Sequence, residues 1–394
     1  MAPAHISVEY QSGYEFIKMC KPENCVKESI IICVQYKMDQ DLIGGMDRYC
    51  WAMDEKLTSL GMIPKWFFPK SSLPEHYRQR DLDIVYIDHQ DFLQGVYGYL
   101  QVHNIHPEIM LTHFTRYFTK EMRWFKKLGV GRIISFEHLF RDQKNRLLTV
   151  KIKTAVKGSL FYRYCDKVAF VSEYVYKQAI NEYWPIKPLI RKKISVVYNG
   201  VDTNAYRIGR QKKEEGILKI VCACRIVKAK GLQVLIEAVE GLERTGYGDK
   251  FQIDVYGAGQ DKNEFEKIVA EKELKRIRFL NNANNLNELL NTYDTAVFPT
   301  FGEAHPFFVL ESFASGLPVI ASKVGGIPEM VNEERGFLIE PGSVKELIDA
   351  IVYCINNKEK LPEMGIKGRD YVMSSFTLEH MVQRHLSLLG ISEN

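Results

Sequence analysis

The sequence predicts an α/β protein of two doubly wound domains, each with a mostly parallel sheet, facing each other across a cleft. Three observations predict it. Short apolar runs alternate with amphipathic stretches of helical period through nearly the whole chain. The alternation runs twice, and the turn signal Asn199-Gly200 with the polar run Arg207–Gly216 lies between the two passes. At 394 residues the chain also exceeds one ordinary hydrophobic core. The expected domains are 1–200 and 201–375, with a closing segment 376–394 whose helix-like stretch Thr377–Leu389 packs back on the first domain.

In the first domain the strand candidates are "SIIICVQY", "PKWFFP", "LDIVYI", "EIMLTHF", "RIISFEH", "KVAFVS" and "ISVVYN". Helical patterns such as Met46–Leu60 separate them. The second domain repeats the scheme with "LKIVCACR", "QIDVYG", "RIRFL", "TAVFPT", "PVIAS" and "GFLIE", followed by helices such as Gln233–Leu242 and Lys262–Glu273. Strands that read as continuous apolar runs belong to parallel sheets covered by helices on both faces. Ligands of such sheets sit beyond the carboxyl ends of the strands, so strand-to-helix turns are where chemistry is expected.

Composition narrows the function classes. The chain is 46% hydrophobic and 26% charged, the profile of a soluble globular protein, and its longest apolar runs are strand-sized and too short to span a bilayer. The N-terminus shows no basic segment followed by an apolar one, so no signal peptide is expected. Eight scattered cysteines fit free thiols in a reducing cytoplasm. Cys222 and Cys224 read as buried strand residues, and no zinc cluster is evident. The net charge of +4 hides an asymmetry, with the first 200 residues basic and the remainder acidic. The basic excess concentrates at 141–167, which holds eight Lys/Arg against two Asp. By charge alone such a stretch suits nucleic acid, an anionic membrane or an acidic acceptor; alternatively it is a solvated helix face whose apolar residues pack inward. Nucleic acid is not among the expected partners.

Three segments carry chemistry. "DLIGGMDRYC" places Gly44-Gly45 directly before a helix, where backbone N–H groups can approach a phosphate, although alone it reads as a plain turn. "CACRIVKAKGLQVLIEAV" places Arg225 at a strand end and Lys230 five residues later, two cations able to grip a diphosphate; alone they read as exposed basic residues. "FGEAHPFFVLESFASG" places Glu303 in the loop after a strand and Glu311 on the following helix. One carboxylate can face a reacting sugar while the other accepts ribose hydroxyls, or the pair is a capping carboxylate and an exposed helix glutamate.

Taken together these segments resemble the GT-B glycosyltransferases of family GT4, which are retaining and act on nucleotide sugars. The resemblance runs from about Ser29 to Gly390 and adds "VAFVSEYV", "VVYNGVDTNAY", "VYGAGQDKNEFEKIV", "RIRFLNNANNLNELLNTYDTAVFPT" and "GLPVIASKVGGIPEMVNEERGFLIEPGS" in the family's order. It implies two Rossmann-like domains, and it implies that Arg225 and Lys230 bind the donor diphosphate and stabilise the leaving group. It also implies that Glu303 sits by the transferred sugar, Glu311 binds the nucleotide ribose, and Gly44-Gly45 contact donor phosphates or acceptor. Gly257 of "VYGAGQ" falls to donor binding, and His138 of "ISFEHLF" lies near the reacting centre. Two departures matter. Phe136 stands where the family has Thr before that histidine, and Ala304-His305-Pro306 replaces the usual Gly-Phe-Gly. Pro306 has no N–H, so a backbone phosphate contact falls to Phe307 or Phe308, while His305 is a sugar contact or a loop residue.

The implied activity is metal-independent and cofactor-free transfer of a sugar from a nucleotide-diphosphate sugar, UDP first and GDP second, to a glycan or lipid-linked acceptor. The implied location is cytoplasmic or peripheral at the inner face of the membrane. A nucleotide-sugar epimerase on a similar fold is the alternative. An NAD-dependent oxidoreductase rests only on "VYGAG", which lacks the third glycine. A non-catalytic sugar-nucleotide binder is opposed by the joint presence of Glu303, Glu311, Arg225 and Lys230. The Asp-x-Asp at Asp81-Leu82-Asp83 reads as a turn.

Overall fold

The computed structural model describes residues 5–11, 14–20, 30–36, 43–70, 77, 80, 82–140, 147–208, 216–283 and 285–391, the first two stretches as backbone only. The chain divides into two compact units, Met1–Tyr198 with Val382–Asn394, and Asn199–Met381. The polar run Arg207–Gly216 lies mostly outside the described residues. The return to the first unit comes at Val382, inside the last helix, Leu378–Leu389.

The first unit holds a nine-stranded sheet made of β1 (His5–Gln11), β2 (Tyr14–Cys20), β3 (Ile30–Val34), β4 (Pro64–Pro69), β5 (Asp83–Ile87), β6 (Ile109–His113), β7 (Arg132–Glu137), β8 (Lys167–Phe170) and β9 (Ile194–Val196). Their order is β1-β2-β5-β4-β3-β6-β7-β8-β9. β3 to β9 run parallel. All five residues of β3 are buried, as befits a strand covered on both faces. The helix Gly45–Ser59 buries Tyr49, Met53 and Leu57, a four-residue repeat that forms one stripe. β1 and β2 pair antiparallel to each other, and β2 pairs antiparallel to β5. Neither strand was anticipated, although "HISVEYQ" alternates apolar and polar residues as a strand with one covered face does.

The second unit is a six-stranded, all-parallel sheet of β10 (Leu218–Ala223), β11 (Phe251–Tyr256), β12 (Ile277–Leu280), β13 (Thr295–Phe298), β14 (Val319–Ser322) and β15 (Gly336–Ile339). Its order, β12-β11-β10-β13-β14-β15, reverses direction between β10 and β13. The equivalent reversal in the first unit lies between β3 and β6. Such switch points open a crevice beyond the strand ends. Leu232, Leu235, Val239 and Leu242 of the helix Leu232–Glu243 join Leu347 and Ile351 of the helix Val344–Asn356 in one core. Each such side chain, fully buried, contributes about 1.5–3 kcal/mol.

Cys33, Cys50, Cys165, Cys222, Cys224 and Cys354 are free thiols; Cys222 is buried and Cys224 only partly so. Cys25 and the Cys20 side chain lie outside the described residues. So does Asp81, while Asp83 opens β5 and pairs with the buried Lys65 of β4 at 3.2 Å. Asp83 is therefore a strand residue with a cation partner and not part of a turn.

Candidate functional site

The loops after β10 and β13 meet at the switch point of the second sheet. Phe301 N–H and the Thr300 hydroxyl both donate to the Ala229 carbonyl, at 3.0 and 3.2 Å. Gly231 begins the helix Leu232–Glu243 at φ +71°, and a Cβ there would lie 1.8 Å from the Pro299 carbonyl oxygen. Only glycine permits both the left-handed backbone and that approach. The consequence is that Lys230 and Glu303, 73 positions apart, form an ion pair through Nζ and Oε1. Both side chains are more than four-fifths buried, and Nζ also sits 5.5 Å from the centroid of the Phe298 ring.

Arg225 lies just past β10, exposed, between two residues whose amides are anchored: Cys224 N–H to Tyr256 O at 3.1 Å and Ile226 N–H to Ala258 O at 2.8 Å. Gly257, at φ +149°, sits where a Cβ would approach Cys224 O to 2.0 Å. It shapes the Arg225 loop by close packing. A fixed lysine and an exposed guanidinium at one switch point can hold an anion of two phosphates.

The helix Phe307–Ala314 follows with Pro306 at its N-cap. Phe308 is buried against Phe298, with ring centroids 5.6 Å apart, and Phe307 is half-buried. Their amides belong to the first turn, which has no preceding carbonyls to bond. Glu311 is half-buried just over one turn into this helix, so it stands closer to the loop than two full turns of helix would place it. His305 is buried; its carbonyl accepts from Asn199 Nδ2 at 2.8 Å and its ring lies against Phe376 at 5.8 Å. Its ring therefore packs in the interior.

In the first unit Gly44 caps the helix Gly45–Ser59, and its amide donates to Asp47 Oδ2 at 2.7 Å. That N–H is thus committed within the chain. Asp47, buried, also accepts from the Tyr77 hydroxyl at 2.8 Å. His138 follows β7 and meets His113, the last residue of β6, with Nε2 and Nδ1 2.9 Å apart. Phe114, at φ +60°, stacks on the His138 ring at 4.3 Å. Such a backbone for an aromatic residue costs about 1–3 kcal/mol. Burial, followed by the charge of His385, pushes the His138 pKa down to about 3. Tyr49, His113 and His385 were not singled out from sequence. A polar residue closing the buried run "EIMLTHF", beside the run that carries His138, was the available signal for His113. Among the described residues no group of three or more His, Cys, Asp or Glu is placed to hold a metal ion.

Of the basic stretch, residues 141–146 lie outside the described residues. Leu148–Phe161 is a helix in which only Ala155 and Gly158 are buried. Leu148, Ile152, Val156 and Leu160, spaced by four, form an exposed stripe, with Leu147 also exposed just before it. The inward-packing alternative is overturned for these residues. Gly158 abuts the Tyr183 ring, and the neighbouring Trp184 is 70% exposed. Among the described residues no helix is long and apolar enough to cross a membrane.

The family model Glycosyltransferase Family 4 matches residues 43–205, and the model Glycosyl transferases group 1 matches 207–371. The D-inositol 3-phosphate glycosyltransferase of Corynebacterium glutamicum is 33% identical over 192 residues, 44% of this chain and 46% of that protein. The N-acetyl-alpha-D-glucosaminyl L-malate synthase of Bacillus anthracis is 27% identical over 209 residues, 51% of this chain and 54% of that protein. The chain spans about half the length of the curated relatives it matches. A glycosyltransferase structure from Rickettsia africae ESF-5 shares the fold with a TM-score of 0.72 at 18% identity, covering 93% of this chain and 100% of that one. Anabaena Alr3699/HepE, solved in complex with UDP and glucose, gives 0.72 at 16% identity, with 92% and 99% covered. Matched in turn along both halves by glycosyltransferase models, and folded as solved glycosyltransferases are, the chain belongs to the GT-B glycosyltransferases of the family 4 type.

Proposed function

We propose that this chain transfers a sugar, with retention and without a metal, from a nucleoside-diphosphate sugar to a hydroxyl of a glycan or lipid-linked saccharide. The observation that carries the reading is the Lys230–Glu303 pair at the switch point of the second sheet, with Arg225 exposed on the same loop. Arg225 and Lys230 take the diphosphate, whose charge grows as the sugar leaves. Lys230 exchanges its Glu303 partner for phosphate when donor binds, which releases the Glu303 carboxylate toward the sugar. Glu311 accepts ribose hydroxyls, and the Phe307 and Phe308 amides meet a phosphate. Within the first unit, Gly45 and His138 are the residues assigned to substrate contact. Gly44, Gly257 and His305 act by shaping the backbone, since the amide of the first, the close packing of the second and the carbonyl of the third are engaged within the chain.

A UDP-sugar is the first donor to test, supported by the neighbouring fold solved with UDP and glucose. The acceptor reading draws on the exposed apolar stripe and the lysines beside it, which suit the anionic inner leaflet and a membrane-borne acceptor. Membership of a glycosyltransferase family disfavours the epimerase and oxidoreductase readings. The test is donor hydrolysis across UDP-, GDP- and ADP-sugars, in excess EDTA. Hydrolysis of one donor with full activity in EDTA is expected. Activity that requires added Mg²⁺ or Mn²⁺ would remove the metal-independent mechanism, and epimerisation of the donor without acceptor would replace the function.

A further inference from the structure

Beyond the carboxyl ends of β6 and β7, three side chains form one hydrogen-bonded line. The Tyr49 hydroxyl lies 3.2 Å from Nε2 of His113, and Nδ1 of His113 lies 2.9 Å from Nε2 of His138. Tyr49 and His113 are sealed from solvent, whereas His138 is half-buried. Burial, with a smaller contribution from Cys50, raises the Tyr49 phenol well above its ordinary pKa, so the hydroxyl keeps its proton. Burial, then His138 and His385, hold His113 well below the usual imidazole range, so it is neutral.

A neutral imidazole has one N–H, so the line has two arrangements. In the first, Tyr49 donates to His113 Nε2, His113 Nδ1–H donates to His138 Nε2, and the proton of His138 is on Nδ1. In the second every direction reverses. The Tyr49 hydroxyl then accepts from His113, and its own proton has no acceptor among the described residues. A buried donor without an acceptor is penalised, which selects the first arrangement. Stacking fixes the ring planes: Phe114 lies on His138, and His385 lies on Phe136 at 4.1 Å and beside His113 at 5.8 Å.

We propose that Tyr49 and His113 are positioning residues that set the tautomer of His138, making it a neutral N–H donor at Nδ1 toward a substrate oxygen and not a base. Such a ring can hydrogen-bond a hydroxyl or phosphoryl oxygen and cannot take up a proton at that nitrogen. The proposal rests on the reading that His138 faces the reacting groups.

The first measurement uses the full-length wild-type protein with ¹⁵N-labelled histidine, the His138 ring signals being assigned by their loss in His138→Gln. The expected result is a neutral His138 protonated on Nδ1; a proton on Nε2 overturns the proposal. Tyr49→Phe is expected to mix the two tautomers and to lower kcat about tenfold with little change in donor KM, the scale of one misdirected hydrogen bond. His113→Asn keeps an N–H aimed at His138 and should hold the tautomer, while His113→Leu offers no donor and should let the two tautomers mix. Identical tautomer populations in the Asn and Leu variants would show that the line sets nothing. Wild-type turnover in His138→Gln would instead sink the placement of His138 at the reaction, leaving the tautomer result to stand or fall by itself.

Discussion

Reversing the charge of Lys151, Lys153 and Lys157 to glutamate tests the membrane face most directly. The magnitude follows from the exposed side chains. Leu147 and Leu148 are each 70% exposed, Ile152 51%, Val156 54% and Leu160 57%. Burying about half of each in a leaflet contributes ~1 kcal/mol apiece, roughly 5 kcal/mol in all, before the cost of immobilisation. Lys153 and Lys157 follow stripe residues directly and Lys151 precedes Ile152, so cations flank the stripe on both sides. Each adds about 1 kcal/mol near an anionic surface. Reversal removes about 3 kcal/mol and opposes binding by a similar amount, and screening over a Debye length of about 8 Å reduces the sum to roughly half. The expected loss is therefore about two decades in the partition coefficient. Co-sedimentation reads it, with neutral phosphatidylcholine vesicles compared with vesicles containing anionic phosphatidylglycerol. Wild type should bind the anionic vesicles, lose binding as salt rises, and lose it again in the triple variant. Equal sedimentation with both vesicle types, or none with either, refutes the membrane face and leaves a soluble acceptor.

Arg225→Ala and Lys230→Ala should each lower kcat/KM by about two to three decades, as expected for loss of one preorganised donor; near-normal turnover in both removes their assignment to the diphosphate. Glu311→Gln should weaken nucleotide binding in calorimetry while the fold stays intact. Unchanged affinity with collapsed turnover would exchange the roles of Glu303 and Glu311. Gly231→Ala should lower Tm by several degrees, because the left-handed backbone alone costs about 1–2 kcal/mol and the new Cβ meets the Pro299 carbonyl. Gly246→Ala, with nothing within 4 Å of its added carbon, is the matched control and should change stability by no more than about 0.5 kcal/mol. Equal Tm values for the two would undo the account of the β10–β13 junction.

The sequence by itself determined where the parallel strands lie. A strand covered by helices on both faces is mostly apolar, so β3 and, after its opening threonine, β13 appear as unbroken runs in the chain. The same local logic marks the helix after β13 and the two glutamates that flank its start. An unbroken run marks neither β1, whose alternating pattern is the signature of a strand with one covered face, nor β2, which does not alternate strictly either. The strand order was decided only by tertiary structure, because order is a long-range property. Only that order brings Lys230 to Glu303 across 73 positions, and seats the loop at Gly231 on the backbone at Pro299. The line from Tyr49 through His113 to His138 depends in the same way on β6 and β7 being neighbours. Exposure is likewise a tertiary fact. Leu148, Ile152, Val156 and Leu160 keep the same four-residue spacing whether their stripe faces a core or the solvent, and periodicity defines a face without saying what covers it.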